Sequence, residues 1–188
     1  MISGCNPCKT EPILIYASKD LKAIGTFKSG TLWVYQNDST LVLDSIVVTG
    51  FQDTPDTVME FCQDDSVPLN YRESILTFTH SFLFDEDYIL TVKVGAPVLL
   101  SKDNLSADTI FIDAPCADSS YCNVIDTFQL NGNAFLQVYE RIDSSSSLEN
   151  GRLTHFYSAP NYGIIKKQIY NADSTIESWS LVYNKILQ

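Results

Sequence analysis

Alternation of side-chain character every two residues is the dominant pattern along this chain, and it constrains the fold more than any other feature. Within Thr31–Gln36, Trp33 and Tyr35 fall on one face of an extended segment. Leu32 and Val34 fall on the other face. Because successive side chains of a strand point to opposite faces, this pattern predicts β-strands. The ten Tyr and ten Phe residues favour strands as well.

Turn residues divide the alternating segments into hairpins. A turn at residues 37–39 predicts a hairpin over residues 31–49, and an acidic turn at 85–87 predicts a second over 72–94. Further strands are predicted at 109–113, 125–130, 134–142, and in a C-terminal meander at 152–158, 163–170 and 175–184. We therefore expect an all-β fold, a single curved antiparallel sheet, with a half-open barrel as the more closed form of the same architecture.

The domain organisation is expected to be simple. Residues 1–28 are predicted to be an N-terminal leader and tether that ends in an extended approach to the first hairpin. Residues 29–188 then form a single antiparallel β domain, since no internal repeat and no shift in composition marks a second one. The one candidate helix lies at Thr57–Cys62.

The charge of the chain limits its partners. It carries 23 acidic and 12 basic residues, a net charge of −11 at neutral pH. A field of that sign repels phosphate backbones and anionic lipid, so we expect no nucleic-acid partner. The acidic residues occur in small groups, which is typical of a solubilising surface, with a dedicated cation site as the alternative.

The sequence begins Met1-Ile2-Ser3-Gly4-Cys5, and this stretch resembles the end of a bacterial lipoprotein signal peptide. In such a protein Cys5 is lipidated and becomes the first residue of the mature chain. A chance Gly-Cys pair at a frayed terminus is the alternative. No apolar run approaches the roughly 18 to 20 residues that span a bilayer. We therefore expect a periplasmic or cell-surface protein that meets the membrane through its lipid anchor only.

Four cysteines remain when Cys5 is set aside, an even number that an oxidising compartment favours. They allow three connectivities. Cys116 and Cys122 flank a short loop, and we predict a disulfide between them. Cys8 and Cys62 would form the remaining pair.

Motifs of nucleophilic, metal and phosphate chemistry are absent from the sequence. It contains no Gly-X-Ser-X-Gly and no Ser-X-X-Lys motif, and its only histidines are His80 and His155. His80 shares a strand face with Leu76 and Phe78, so we expect a hydrogen-bonded core histidine. His155 is expected at a surface or an edge. Zinc spacings, calcium loops and glycine-rich phosphate loops are also missing, so no metal and no cofactor are expected.

Aromatic residues supply the only candidate ligand face. Burial statistics favour ordinary core roles for such residues, but an apolar concave sheet face also suits hydrophobic or peptide ligands. The candidates for a ligand-contacting aromatic face are Trp33, Tyr35, Phe78, Phe82 and Trp179.

Two segments bear a family resemblance. Gly25–Tyr35 with Asp44–Val48 resembles the "Gly-X-X-Trp-Val-Tyr…Asp-Ser-X-X-Val" opening of small Bacteroidetes-type exported lipoproteins. His155–Lys167 with Trp179–Val182 is similar to their "Tyr-X-Ala/Pro-X-X-Gly-Ile-X-Lys…Trp-X-Leu" close. The resemblance implies an exported lipoprotein of uncharacterised function, and it supplies no catalytic residues.

Three functions follow from these observations, in order of preference. The first is a non-enzymatic, membrane-tethered lipoprotein domain that binds an unidentified ligand or partner protein. The second is a carrier of lipid or another apolar molecule, which would need a continuous apolar cavity of roughly 300 Å³ or more. The third is a carboxylate-based hydrolase, which would need two facing acids in a cleft.

Overall fold

A computed structural model describes residues 13–62, 65–93, 98–102, 106–111, 122–143 and 153–188 of the chain. Its elements, in chain order, are strand β1 (Ile13–Ile15), helix α1 (Lys19–Gly25), and strands β2 (Leu32–Asn37), β3 (Leu43–Cys62), β4 (Asp65–Ser81), β5 (Glu86–Lys93), β6 (Val98–Lys102), β7 (Ser106–Phe111), β8 (Cys122–Leu130), β9 (Asn133–Asp143), β10 (Leu153–Ala159), β11 (Gly163–Tyr170) and β12 (Ile176–Lys185). Among the described residues, no helix is long and apolar enough to cross a membrane.

All of these strands belong to one sheet, in the order β7-β6-β5-β4-β3-β2-β12-β11-β10-β9-β8. Every neighbouring pair along this order is antiparallel. Strand β1 alone is parallel, and it pairs with β4 through Asn70–Arg72. The predicted fold class is confirmed: the protein is one large antiparallel sheet, not closed into a barrel.

The predicted hairpins at 31–49 and 72–94 are confirmed as β2–β3 and β4–β5. The second turn comes earlier than expected, at residues 82–85, because β4 already ends at Ser81. The C-terminal meander is confirmed as β10–β11–β12. The helix predicted at Thr57–Cys62 is wrong, since these residues extend β3 and pair with β4 as far as Cys62 opposite Asp65.

Helix α1 replaces part of the predicted extended approach to the first hairpin. Ser18 caps it, since the Ser18 hydroxyl accepts a hydrogen bond from the backbone N–H of Leu21 at 3.3 Å. Leu21 and Ile24 are buried on one side of the helix, whereas Lys19 and Asp20 are exposed. The expectation of extended chain is therefore wrong for residues 19–25. The division into a leader and a domain at residue 29 stays a prediction.

The sheet curves around α1. The helix contacts β5 and β11, which are far apart in the strand order, and β7 also comes close to β9 and β10. A flat sheet cannot bring such distant strands to the same helix, so the concave face wraps it. The largest fully buried side chains come from the helix, from the segment just after it and from both halves of the sheet: Phe27, Phe156, Leu21, Ile24, Ile75 and Ile165.

A buried carboxylate fastens α1 to β4. Glu73 accepts hydrogen bonds from the backbone N–H of Ala17 at 2.8 Å and from the ammonium of Lys22 at 2.7 Å. Thr77, on the same face of β4, donates to the carbonyl of Gly25 at 3.3 Å. These bonds bridge more than 50 residues of sequence and satisfy polar groups at both ends of the helix.

The buried face of β4 is the more polar of its two faces. Ile75, Thr77, Thr79 and Ser81 are buried, and alternation turns Leu76, Phe78 and His80 to the opposite face. The core location predicted for His80 is therefore wrong. Its Nδ1 lies 3.0 Å from a carboxylate oxygen of Asp87, at the end of the hairpin.

Phe27, just after α1, locks the helix against the sheet. Its ring meets the Trp33 ring edge-on, with centroids 4.8 Å apart. On its other side lies Gly163, the first residue of β11, whose backbone has φ +76. A Cβ atom at Gly163 would lie 3.1 Å from Cζ of Phe27. Only glycine offers both that conformation and that closeness of approach.

We expect Gly163→Ala to destabilise the protein through both strain and contact. Gly132, with φ +79 and no atom within 4 Å of where a Cβ would lie, provides a matched control for strain alone. Gly132→Ala should cost about 1 kcal/mol of unfolding free energy. Gly163→Ala should cost at least about 1 kcal/mol more, because the fully buried Phe27 ring must shift to admit a Cβ atom 3.1 Å from its Cζ. Urea unfolding followed by tryptophan fluorescence measures both, and equal losses would contradict the packing role of Phe27.

Candidate functional site

A cavity of about 380 Å³ lies on the concave side of the sheet. Its inner end is formed by Ile24 and Phe27, and its outer end by Phe84, Glu177 and Trp179. Strands β2 to β6 and β10 to β12 contribute the side chains of its walls. The volume falls within the usual range of small-molecule sites. This cavity is the candidate functional site.

Two aromatic residues of β2 form part of its wall. Trp33 donates from Nε1 to the carbonyl of Tyr162 at 2.8 Å, and the Tyr35 hydroxyl donates to the carbonyl of Ile164 at 2.7 Å. Burial, with the nearby charge of Asp44, raises the pKa of Tyr35 far above its usual range. Both rings are therefore held in fixed positions with their polar atoms paired, and they offer apolar surface to the cavity.

Asp44 is a buried carboxylate in the same wall. It accepts two contacts from the hydroxyl of Ser81, at 3.0 and 2.9 Å, and one from the backbone N–H of Leu83 at 3.1 Å. These bonds fasten the start of β3 to the turn after β4. The carboxylate is thus occupied with holding the turn at residues 82–85, which suits a structural role better than a reactive one.

The remaining charged groups of the cavity lie towards its outer end. Glu177 accepts a hydrogen bond from Nε1 of Trp179 at 2.7 Å, and Glu86 accepts one from the hydroxyl of Tyr88. Lys167 lies over the ring of Phe156, with its ammonium 6.0 Å from the centroid. The cavity thus combines a mainly apolar, aromatic wall with a few polar groups near its opening, an arrangement that can orient a ligand.

The structure separates the five candidate ligand-face aromatics. Trp33, Tyr35 and Trp179 line the cavity together. Phe78 lies on the opposite face of β4, where it packs over Gly50, and Phe82 extends from the following turn with 62% of its surface exposed. A ligand-contacting role remains a prediction for all five residues.

The predicted cysteine sites fall largely outside the described residues. Cys5, Cys8 and Cys116 lie there, and Cys62 and Cys122 end and begin strands whose terminal side chains are not described. Lipidation of Cys5 and the two disulfides stay predictions.

A second polar cluster lies on the outer face of the sheet, across β9 and β10. The hydroxyl of Tyr157 donates to Glu140 at 2.8 Å, and Nδ1 of His155 lies 3.2 Å from the same oxygen. Asn123 donates to the other oxygen at 3.4 Å. Burial acts to raise the pKa of Glu140, but these hydrogen bonds outweigh it, and the net result is a lowered pKa. Burial and Glu140 raise the pKa of Tyr157.

This outer cluster lacks the composition of a metal centre. Within the described part of the chain, no three His, Cys, Asp or Glu residues come together as a metal site. The cluster joins two neighbouring strands, since Glu140 and Tyr157 are directly opposite each other in the ladder. Its evident role is to stabilise the pairing of β9 with β10.

Sequence reasoning missed the residues that close the inner end of the cavity. Ile24 and Phe27 belong to the segment predicted as a leader, and no sequence pattern marks Asp44 as a buried residue of the wall. The available signal was the spacing of Leu21, Ile24 and Gly25, which is that of one buried helical face after a Ser18 cap.

Known proteins offer limited likeness to this chain. No protein-family model and no curated protein matches it. A putative lipoprotein from Parabacteroides distasonis ATCC 8503 is similar in structure, with a TM-score of 0.45 and 13% identity over 86% of this chain and 97% of that one. A putative exported protein with a YmcC-like fold from Bacteroides fragilis NCTC 9343 has a TM-score of 0.41 and 13% identity over 85% of this chain and 97% of that one. At this level of likeness, neither function nor site residues are transferred to this chain.

The lowered pKa of Glu140 makes a contribution to stability that depends on pH. A carboxyl group whose pKa is lower in the folded chain than in the unfolded one stabilises the fold above the unfolded pKa, about 4.5 for a glutamate, and loses this effect as pH falls through the folded pKa. We therefore expect Glu140→Gln to be less stable than the parent above about pH 5, with the difference shrinking below about pH 4.

Urea unfolding at stepped pH values measures this difference. Asp53→Asn, which removes a carboxylate from an exposed position of β3, serves as the matched control. A Glu140→Gln difference that stays constant down to about pH 3 would show that the side chain acts through its shape and not its charge.

Proposed function

We propose that this chain is the non-enzymatic binding domain of an exported, membrane-tethered lipoprotein, and that it holds a small, largely apolar ligand on the concave side of its sheet. The single observation that carries the proposal is the cavity of about 380 Å³ between α1 and the outer end of the sheet. Its volume exceeds the roughly 300 Å³ that a carrier of small apolar molecules needs.

The chemistry of the walls supports a ligand with an apolar body and a polar end. Trp33, Tyr35, Leu90 and Leu100 give apolar surface along the length of the cavity. The charged groups are concentrated near Phe84 and Trp179, where the cavity reaches the surface. A ligand that places its apolar part inward and its polar part outward would satisfy both regions.

The hydrogen bonds that the cavity carboxylates make favour a binding function over hydrolysis. Asp44 holds the turn after β4, Glu177 holds Trp179, and Glu86 accepts from Tyr88. Carboxylate catalysis needs one acid free to transfer a proton and a second free to attack or activate water. Each of these three acids already serves a neighbouring donor of the fold.

We expect the protein to take up a neutral apolar fluorophore such as N-phenyl-1-naphthylamine saturably. The emission of the fluorophore should rise as it moves from water into the cavity. Ile46→Phe should fill the cavity from β3 and weaken the apparent affinity at least tenfold, a loss of about 1.4 kcal/mol. Titration of the fluorophore into the full chain measures both.

Val47→Phe provides the matched control, since Val47 neighbours Ile46 on β3 but points to the opposite sheet face and does not line the cavity. This variant should bind the fluorophore as the parent does. Absence of saturable uptake by the parent, or equal affinity in the Ile46→Phe and Val47→Phe variants, would overturn the assignment of the cavity.

The proposed tether is a lipid anchor on Cys5. The support for it is the Ile2-Ser3-Gly4-Cys5 stretch of the sequence. Dual acylation at one cysteine gives stable membrane attachment, whereas a single acyl chain binds reversibly. The proposed location is the periplasm or the cell surface. The anchor itself requires no disulfide.

Metabolic labelling with palmitate tests the tether separately from the cavity. A precursor that carries a complete export signal ahead of Cys5 should incorporate label and fractionate with membranes. Cys5→Ser should abolish both results, and Cys8→Ser, three residues away, should leave them unchanged. Equal labelling of the precursor and its Cys5→Ser variant would exclude the anchor.

A further inference from the structure

Three hairpin turns meet at one end of the sheet. They are residues 38–42 between β2 and β3, residues 82–85 between β4 and β5, and residues 171–175 between β11 and β12. The ladder fixes their proximity, because Asn37 pairs with Trp179 and the N–H of Phe82 bonds to the carbonyl of Ser45. This end of the sheet is where the cavity opens.

The turns and the strand residues next to them present apolar side chains to solvent. Each of the following large hydrophobic residues is at least 43% exposed, and together they are called the apolar rim: Leu41, Val42, Leu43, Leu83, Phe84 and Ile176. Single exposed apolar residues are ordinary, but several that converge from separate turns form a patch, which is typical of an interaction site.

A groove of about 370 Å³ runs between the three turns. Val42 lines it from the first turn, Leu83 from the second, and Ile176 from the start of β12, next to the third turn. It shares Phe84, Glu177 and Trp179 with the cavity, and the rings of Phe84 and Trp179 pack together with centroids 5.9 Å apart. The groove is therefore continuous with the cavity but has apolar walls of its own.

The first turn holds Leu41 in a costly arrangement. Leu41 has φ +61 and 64% of its surface exposed, whereas the left-handed region is usually occupied by Gly, Asn or Asp. The turn is maintained by Asn37, which accepts from the N–H of Leu41 at 2.9 Å and, through its side chain, from Thr40 at 2.9 Å. A strained leucine that points to solvent contributes little to the core, which is consistent with a role in contacting a partner.

The charge around the apolar rim is mainly negative. Segments 37–44, 81–88 and 170–178 contain seven carboxylates and no Lys or Arg. Asp85, at the tip of the second turn, has a side chain 96% exposed. Lys166 reaches the rim from β11 and lies 3.5 Å from Asp38. The groove is thus an apolar surface within a negative field, and its electrostatic complement is a positively charged partner.

We propose that the apolar rim is a docking site for a polypeptide segment that carries both basic and apolar side chains, such as a strand or loop of a partner protein. The apolar side chains enter the groove between Val42, Leu83 and Ile176, and the basic ones face the surrounding carboxylates. An anionic membrane surface and a second copy of this acidic chain would both be repelled by the same field. This docking site is independent of whether the cavity holds a ligand.

Fluorescence polarisation with a labelled synthetic peptide of alternating Leu and Lys tests the proposal on the full chain. Two control peptides of the same length have alternating Leu and Glu, or alternating Ser and Lys. The Leu–Lys peptide should bind saturably, and the other two at least about tenfold more weakly, since each lacks one of the two required contacts.

The double variant Val42→Ser/Leu83→Ser, called the rim variant, should weaken binding of the Leu–Lys peptide at least about tenfold. Both residues line the groove and not the cavity, so uptake of the neutral fluorophore should not change. Asp85→Asn keeps a residue that tolerates the left-handed backbone and should weaken binding about two- to fivefold, mainly at low salt. Leu136→Ser, which removes a leucine of β9 that is 66% exposed, is the control and should have no effect.

Three results would overturn the proposal. The first is binding of the Leu–Lys peptide that is equal in the parent, the rim variant and the Leu136→Ser variant, or no binding in any of them. The second is co-sedimentation of the parent, but not the rim variant, with vesicles of anionic phospholipid. The third is a dimer of the parent that the rim variant abolishes, which would assign the surface to a second copy of the chain.

Discussion

Packing of α1 into the concave face is the interaction on which the rest of this structure depends. A strongly curved sheet leaves a space on its concave side. Any part of that space that apolar side chains do not fill remains a cavity. Phe27 fills it at one end, between the Trp33 ring and the bare backbone of Gly163. Glu73 holds the helix in place with hydrogen bonds to Ala17 and Lys22. Where the helix ends, the filling ends as well, and the cavity begins.

The roles of the polar groups on the concave face differ between the part that packs against the helix and the part that lines the cavity. Near the helix they are hydrogen-bonded to its backbone, as Thr77 is to Gly25. Beyond the helix they support the opening, since Asp44 binds the turn after β4 and Glu177 binds Trp179. Buried donors and acceptors are costly unless they are paired, so each of these bonds is also a constraint on shape. Hydrogen bonds between polar groups therefore hold the residues around the opening in place, although the surface of the opening is apolar.

Local pattern predicted much of this fold but little of the site. Alternation identified β2 and the C-terminal meander because consecutive residues of a strand carry that information themselves. It assigned the wrong face of β4 to the core, since Thr79 and Ser81 are buried through partners that lie on other strands. Helix α1 is only seven residues long, too short to be stable alone, and the sheet that stabilises it comes later in the chain. The same holds for the apolar rim, which unites three turns that lie far apart in the sequence.

The parallel pairing of β1 with β4 gives the molecule a polarity. Residue Ile13 lies beside Asn70, and the turns lie beyond Ser81 on the same strand, about 36 Å further along at roughly 3.3 Å per residue. The chain thus arrives at one pole and the cavity opens at the other. A lipid on Cys5, only eight residues ahead of Ile13, would keep the first pole close to the bilayer. The opening would then face outward, away from the lipid and towards molecules that approach from solution.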